Sequence, residues 1–299
     1  MTFAYAPEGL AADVAATDDP RTGDAATTPA RRPFEPSEEL IYEAEFSKLL
    51  LRGINIAEFK FTAGRAPAAS VVKATDAAPA ANVVKTANAS SASNEAAAAP
   101  LLFTGDIVSR GWFRKIFGIN FHYHVESTVE SKSFQILRTT KLDEQGKRVR
   151  TSEAVFDRAA DKITWTELDP NNPARPPRVV SSPLADTSHD IITAIYFLRT
   201  QKLTPGQTFE LSISDSGAVY RVPVKVLAEK KRLKSIVGRV AVVRVEIEIF
   251  GKGRLIEENG RMSLWMTNDE RHLPVRARID SDLGTLDINL KSINKNMRP

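Results

Sequence analysis

The sequence predicts a mainly β protein: one large, strongly curved antiparallel sheet, a half-barrel or open barrel-like meander, with one internal helix. The clearest evidence is in residues 264–279, where apolar and polar residues alternate on both sides of a short acidic turn. Such period-two alternation is typical of strands with one buried face and one solvated face. The pattern recurs along most of the chain, and a helical spacing replaces it near residues 191–203.

Two segments lack the composition of a folded core. Residues 1–33 are rich in Ala, Asp, Thr and Pro, and residues 63–100 are dominated by Ala with Ser, Asn and Pro. Such segments bury too little apolar surface to offset the entropy lost on ordering. We therefore expect a disordered N-terminal arm, followed by a single β domain over residues 34–294 that the low-complexity, Ala-rich insertion at 63–100 interrupts.

The first predicted strand pair lies at residues 39–46 and 54–61, where aromatic and aliphatic residues alternate with Glu and Lys. Arg52 and Gly53 are the predicted turn between them. After the insertion, and besides the pair within 264–279, the predicted strands are 101–108, 121–129, 134–142, 147–157, 162–168, 208–213, 219–227, 239–250, 253–258 and 285–293. Residues 169–177 contain several prolines, which cannot donate the backbone hydrogen bonds of a sheet. We therefore interpret this segment as a loop.

One helix is predicted after this loop. Ser188 is the expected N-cap, and residues 204–206, Thr-Pro-Gly, end the pattern after Leu203. Asp190 is expected to interact favourably with the positive helix N-terminus. Arg199, toward the other end, is expected to pair with an inward carboxylate or, alternatively, with a ligand head group.

Composition and motifs exclude several functions. The chain has 299 residues, a formal net charge of +4 with both signs interspersed, and no cysteine. Nucleic acid is therefore not an expected partner, and thiol catalysis, disulfides and thiolate metal sites are excluded. No Gly-x-Ser-x-Gly, phosphate loop or dinucleotide fingerprint is present. We expect neither an enzyme nor a cofactor.

The chain also lacks export and membrane-spanning signals in the sequence as it stands. No segment approaches the roughly 20 apolar residues that cross a bilayer. The first ten residues have neither a basic region nor a continuous hydrophobic region, so they do not form a signal peptide. A cytoplasmic protein, another export route and an upstream start remain as alternatives.

Two histidines offer a weak metal alternative. His122 and His124 flank Tyr123, so both imidazoles project from one face of a strand, with Glu126 next along that face. Two histidines and a carboxylate are ligands that suit zinc or another divalent ion. No partner motif elsewhere supplies a further ligand, so the favoured interpretation is a solvated sheet face, and no metal site is predicted.

Short landmarks recur in a characteristic order. They are the opening strand Glu39-Leu-Ile-Tyr-Glu43, the segment Gly111-Trp-Phe-Arg-Lys-Ile-Phe117, the pair Phe156-Asp157, the helix with Asp190, Tyr196 and Arg199 followed by Leu203 and Gly206, and Trp265, Asp269 and Pro274. In this order the chain resembles the bacterial family named domain of unknown function 3108, from about Glu35 to Lys291 without the insertion. The resemblance implies a secreted or envelope-associated β protein, hence the periplasm or cell envelope. The fold is more distantly similar to the half-barrel lipoprotein carriers of the periplasm.

The leading hypothesis is a non-enzymatic envelope-type protein whose curved sheet holds an apolar or amphipathic ligand, such as a lipid or a lipoprotein. The candidate ligand-binding residues are Trp112, Phe113, Phe117, Tyr196, Arg199 and Trp265. Residues 110–117 combine aromatics with cations, as a peripheral membrane contact requires, or they plug the open end of the sheet. The alternative is a structural or protein-interaction module, with an envelope protein as partner, whose core its own aromatics fill. A cavity of a few hundred Å3 would favour the first.

Overall fold

The structure, a computed structural model, describes residues 32–66, 99–110, 120–184 and 187–295. In these ranges the chain forms one helix, α1 (Ile191–Thr200), and one sheet of fifteen strands. The strands are β1 (Glu38–Lys48), β2 (Leu51–Arg65), β3 (Leu101–Ser109), β4 (Phe121–Val129), β5 (Ile136–Gln145), β6 (Arg148–Asp157), β7 (Lys162–Leu168), β8 (Arg178–Pro183), β9 (Ser188–His189), β10 (Thr208–Asp215), β11 (Ala218–Ser235), β12 (Gly238–Ile247), β13 (Gly260–Thr267), β14 (Pro274–Ser281) and β15 (Gly284–Lys295).

The strands follow the chain in a meander that is joined at its middle. The order across the sheet is β8-β7-β6-β5-β4-β3-β2-β1-β15-β14-β13-β12-β11-β10-β9, so the first and last strands are neighbours. Every pair is antiparallel except β9 and β10, which are parallel. The edge strands β8 and β9 do not pair with each other. The predicted fold class, one large antiparallel sheet with one helix and no barrel closure, is confirmed.

The sheet is rolled but does not close into a barrel, because the edge strand β8 contacts the β10–β11 turn and not another strand. Ser182 in β8 donates a hydrogen bond from Oγ to the carbonyl oxygen of Gly217, at 2.7 Å, in the β10–β11 turn. A Cβ on Gly217 would lie 2.7 Å from the Cβ of Val180, and its φ is +82°. Only glycine fits this conformation and this close approach. The contact brings the two edges together without a hydrogen-bonded ladder.

Alternate turns of an antiparallel meander lie at the same end of the sheet. The turns after β1, β3, β5, β7, β10, β12 and β14 form one end, which we call the hairpin end. The turns after β2, β4, β6, β11 and β13 form the other, which we call the helix end because α1 lies against it. Phe197 in α1 contacts Phe134 between β4 and β5, with ring centroids 6.0 Å apart. The Arg199 side chain reaches the β13–β14 turn.

Two apolar clusters form the core on the inner face of the sheet. The larger cluster gathers residues of β1 and β10–β15, such as Val224, Val245 and Leu264. The smaller one gathers residues of β3–β7 around Phe103 and Ile163. Helix α1 contributes to both clusters, so it connects the two halves of the rolled sheet.

The helix differs from its prediction at both ends. Asp190 is the N-cap, not Ser188, and the last helical residue is Thr200, not Leu203. Ser188 and His189 instead pair with Ser212 and Ile213 as the short parallel strand β9. Both Ser and Asp are good N-caps, so this tertiary pairing decides where the helix begins.

Two further local predictions are wrong. The first turn is formed by Leu49 and Leu50, because Lys48 already pairs with Leu51, and Gly53 lies inside β2. The predicted strand at 253–258 is reduced to one bridge between Phe250 and Ile256.

The two low-complexity segments fall almost wholly outside the described ranges. The predicted disordered arm, residues 1–33, lies outside them apart from Arg32 and Pro33. Strand β2 continues to Arg65, so pairing extends into the range assigned to the insertion at 63–100. Residues 67–98 of that insertion lie outside the described ranges.

Candidate functional site

A cavity of about 590 Å3 lies between α1 and the inner face of the sheet. Its size falls in the range of small-molecule sites, roughly 300–1,000 Å3. Much of its wall is apolar and comes from β1–β4, from α1 and from the strands and connections between β12 and β15. The apolar wall includes Leu40, Tyr42, Phe59, Phe61, Ile107, Val125, Ile192, Ile195, Met262, Leu264, Ala277, Ile279 and Ile288.

The other side of the cavity is polar. It is formed by β5–β7 and the β10–β11 turn, and its residues are Lys141, Asp143, Arg148, Arg150, Ser152, Glu167, Asp215 and Ser216. Arg148 Nη1 lies 3.1 Å from Asp143 Oδ2. Arg150 Nη1 lies 2.8 Å from Oδ1 of Asp169, in the loop after β7. The wall therefore carries both signs of charge, and the cavity as a whole is amphipathic.

Lys141 is the most enclosed cation of the polar wall. Its Nζ donates to the carboxylate of Asp215, which joins β5 to the end of β10. Desolvation opposes its charged form, but Tyr123 and Asp215 outweigh this effect and raise its pKa above the ordinary value. Burial raises the pKa of the Tyr123 hydroxyl in turn. At neutral pH the wall thus presents a protonated amine beside a neutral phenol.

The N-terminus of α1 is fixed to the sheet by Asp190. Its Oδ1 accepts from the backbone N–H of Thr193 at 2.8 Å, completing a capping box. Its Oδ2 accepts hydroxyl hydrogen bonds from Thr139, at 2.8 Å, and from Ser127. The carboxylate therefore stabilises the helix N-terminus, as the sequence predicts, and it also joins the helix to β4 and β5.

Arg199 fixes the other end of α1. Its guanidinium makes a bidentate pair with Glu38 of β1, in which Nη2 lies 3.1 Å from Oε2. The same group donates to the carbonyl oxygens of Pro33, at 2.8 Å, and of Arg271, at 3.2 Å. The predicted pairing with an inward carboxylate is confirmed, and Arg199 joins the end of α1 to β1 and to the β13–β14 turn.

The structure brings two of the six predicted ligand-binding residues to the cavity, Tyr196 and Arg199. Tyr196 stacks on Phe103 with ring centroids 4.4 Å apart, and burial raises the pKa of its hydroxyl. Three other candidates, Trp112, Phe113 and Phe117, lie outside the described residues. Their flanking neighbours Arg110 and Asn120 are at the hairpin end of the sheet.

Trp265 does not line this cavity. It follows Leu264 and precedes Met266 in β13, so its side chain points to the outer face while theirs point inward. Three cations lie 5.3–5.8 Å from the centre of its indole, contributed by Lys231, Arg244 and Arg276. These side chains cover the ring, and such cation–π contacts stabilise the outer face.

The polar wall is the part of the site that sequence reasoning missed. In β5, Lys141 and Asp143 lie an even number of residues from buried Thr139, so all three face the same side of the sheet. In β6, Arg148 and Arg150 are related in the same way to buried Phe156. Charged residues at inward-facing positions of an amphipathic strand are the signal that could have revealed it.

The two histidines form an ion-pair network on the outer face of the sheet. His122 lies between two carboxylates, with Nε2 2.7 Å from Asp106 Oδ1 and Nδ1 2.9 Å from Glu144 Oε2. His124 Nε2 lies 3.4 Å from Glu126 Oε1. Within the described ranges, no group of three or more His, Cys, Asp or Glu is arranged to hold a metal ion.

The hydrogen bond to Glu144 is the main cause that raises the pKa of His122. Because the folded protein holds the His122 proton more tightly than the unfolded chain does, protonation of His122 stabilises the fold. This stabilisation is complete below pH 6.5, the ordinary pKa, and is lost as pH rises through the pKa of the folded protein. We expect His122→Gln to lower the free energy of unfolding at pH 5.5 by roughly 0.3–1 kcal/mol, a small amount because the pair is screened by solvent. At pH 9 the loss should vanish. Urea unfolding at both pH values measures it, and an equal loss at both would contradict it.

Comparisons with known proteins bear on the fold and the family. Among the residues that the structure describes, no helix has the length and apolar character needed to cross a membrane. No curated protein matches the chain. Among solved structures, it is similar to the crystal structure of a beta-barrel-like protein of domain of unknown function DUF1849 from Brucella abortus. The TM-score is 0.53 at 8% identity, over 87% of this chain and 97% of that chain. At this identity the likeness concerns the fold alone.

The family model of proteins of unknown function DUF3108 matches residues 80–291. This range runs from within the insertion into β15, and it includes α1, the polar wall and most of the apolar wall. The resemblance predicted from the order of short landmarks is confirmed. The chain therefore belongs to the DUF3108 family.

Proposed function

We propose that this protein is a non-enzymatic, envelope-type binding protein that holds an apolar or amphipathic ligand, such as a lipid or the lipid part of a lipoprotein. The observation that carries the proposal is the cavity of about 590 Å3 with one apolar and one polar wall. A hydrocarbon chain would bury its surface against the apolar wall and gain dispersion contacts there. The polar wall suits a head group that remains hydrated or forms hydrogen bonds.

The identity of the residues around the cavity supports this ligand class. Phe59, Phe61, Tyr123 and Trp165 line the cavity instead of filling it. The alternative, a structural or protein-interaction module with a self-filled core, predicts that these aromatics fill the interior of the sheet. The cavity favours the binding protein.

A non-enzymatic role is supported by the way the ionisable groups are used. None of the four histidines lines the cavity. Asp190 caps the helix, Asp215 pairs with Lys141 and Arg199 pairs with Glu38. A general acid or base needs a free hydrogen-bonding position with which to reach the reacting group. These side chains already form hydrogen bonds or ion pairs within the fold.

Filling the cavity should abolish ligand binding. Ala277 lies on the apolar wall, and a Trp at this position would occupy the space that the ligand needs. We expect Ala277→Trp to weaken the binding of a fluorescent fatty acid by at least about tenfold, which is about 1.4 kcal/mol. Titration of the purified protein with the fluorescent fatty acid measures this effect, and circular dichroism verifies that the variant folds.

The matched control is Ala241→Trp, because Ala241 is exposed and does not line the cavity. This variant should bind the fatty acid as the wild type does. Native mass spectrometry of the protein purified from its own host should also detect a bound mass that disappears on denaturation. A wild-type protein with neither bound mass nor fatty-acid binding would contradict the proposal, and so would equal weakening by both variants.

A further inference from the structure

The turn between β1 and β2 presents leucines to solvent. Leu49 is 88% exposed, Leu50 98% and Leu51 44%. Leu283, in the β14–β15 turn, is 61% exposed, and it is close by because Ser47 pairs with Thr285. We call these four residues the leucine tip. They are half of the eight large apolar side chains that are exposed in the described part of the chain, so exposed apolar surface is concentrated at one place.

The backbone of this turn is unfavourable for leucine. Leu49 has a φ of +51°, in the left-handed region. Asn, Asp or Gly takes this conformation in two-residue hairpin turns with less strain than a bulky residue. Backbone strain of this kind is frequent at functional sites. A leucine pair at the most exposed point of a strained turn therefore indicates a binding role.

The leucine tip lies at the hairpin end, and the cavity extends toward that end. Several of the residues that line the cavity lie within three residues of strand ends there, among them Ile107, Arg148, Met262 and Ile279. Helix α1 and the Arg199–Glu38 pair occupy the opposite end. A ligand that enters the cavity at the hairpin end would thus come from the side on which the leucine tip lies.

Cations flank the leucines in the same turn. Lys48 precedes Leu49 and Arg52 follows Leu51, and both side chains are exposed. Lys48 Nζ lies 3.3 Å from the carbonyl oxygen of Asp282, which holds the amine beside the second turn of the tip. Apolar side chains between cations are the arrangement that inserts into a bilayer interface with anionic head groups.

We propose that the leucine tip inserts into the surface of an anionic lipid bilayer, so that the cavity can exchange its ligand with the membrane. The exchange step rests on the proposed function, whereas the membrane contact rests on the tip itself. A protein partner is disfavoured by area, because a standard protein interface buries about 800 Å2 on each side. Four leucines at the point of two turns supply much less.

The test uses a variant that improves the turn while it removes the leucines. Leu49→Asn with Leu50→Gly replaces the strained Leu49 by a residue that adopts positive φ more readily, and it gives the turn the Asn-Gly pair that two-residue hairpins favour, so the protein should fold. The control is Ile236→Asn, in the β11–β12 turn at the helix end, where Ile236 is also exposed. Co-sedimentation is measured with vesicles of phosphatidylglycerol and phosphatidylcholine, and with phosphatidylcholine alone.

We expect the wild type and Ile236→Asn to bind the anionic vesicles and the double variant to bind at least about tenfold more weakly. Fluorescent fatty-acid binding in solution should be equal in all three proteins. If that binding is absent while vesicle binding depends on the leucines, the tip is confirmed and the ligand proposal fails. Vesicle binding that is absent in the wild type, unchanged in the double variant, or equal with phosphatidylcholine alone would overturn the inference.

Discussion

Replacing Arg199 with Met is expected to destabilise the protein by about 3–5 kcal/mol, the cost of breaking a buried ion pair by removing one partner. The Arg199 side chain is 0% exposed and that of Glu38 is 8% exposed. Without the guanidinium, Glu38 becomes an uncompensated buried charge. The carbonyl oxygens of Pro33 and Arg271 lose a donor as well. Urea unfolding at neutral pH measures the loss.

The double variant Arg199→Met with Glu38→Leu is the matched control. A buried ion pair can be replaced by apolar residues of similar volume at little cost, so much of the stability should return. The recovery should be incomplete, because the two carbonyl oxygens still lack a donor. A single variant within about 1 kcal/mol of the wild type would mean that water reaches Glu38 and that the helix end is open.

The sheet was predictable because its strands repeat with period two. Val243, Val245 and Ile247 alternate with charged residues, and such a strand needs a partner on each edge and a core on one face. The helix was predictable from its apolar spacing. Its N-cap was not, since the pairing of Ser188 with Ser212 is a contact between distant parts of the chain.

The turn at Leu49 and Leu50 could not be found by turn chemistry. Arg52 and Gly53 carry the stronger local signal, because glycine tolerates positive φ, and Gly53 does adopt a φ of +62°. It does so within β2, where the register shifts, rather than in the turn. The prediction failed because the leucine tip contradicts local preference, which is common at functional positions.

The helix residues of the site were predictable from the sequence, but the residues of the polar wall were not. Tyr196 and Arg199 follow from the helical spacing. Lys141 becomes part of a site because the rolled sheet brings Asp215, the last residue of β10, against β5. For Trp265, the alternation with Leu264 already indicates the outer face. The type of a residue suggests its role, but its position in the alternation of the strand determines which face of the sheet its side chain is on.

Acidification should destabilise the protein through His189. Its side chain is buried, and within the described structure neither ring nitrogen has a hydrogen-bond partner. Desolvation lowers its pKa from 6.5 to about 4, against the attraction of Asp190 and together with the repulsion of Arg158. Between these two values the unfolded chain binds a proton that the folded protein refuses. Stability should therefore fall by about 3 kcal/mol as the pH drops from 7 to 4.

The variant His189→Phe separates this effect from the titration of carboxylates. Its ring would keep the contact with Phe197, whose centroid lies 4.4 Å from that of His189. Its stability can differ from the wild type at pH 7 because the ring is larger. The informative quantity is the difference between pH 7 and pH 4, measured by urea unfolding at each pH. The loss in the variant should be smaller by about 3 kcal/mol, whereas equal losses would mean that His189 is protonated in the folded protein.

The same result would bear on the closed end of the cavity. His189 lies in β9, next to the N-cap Asp190, and it packs on the aromatic residues that hold α1 at the helix end. A proton on His189 would place a charge between Phe134 and Phe197, where the attraction of Asp190 is smaller than the cost of burial. The helix would then separate from β4 and β5 at its N-terminus. Acid should thus loosen the wall made by α1 before the β-sheet unfolds, and fatty-acid release near pH 4 from wild type but not from His189→Phe would establish this order.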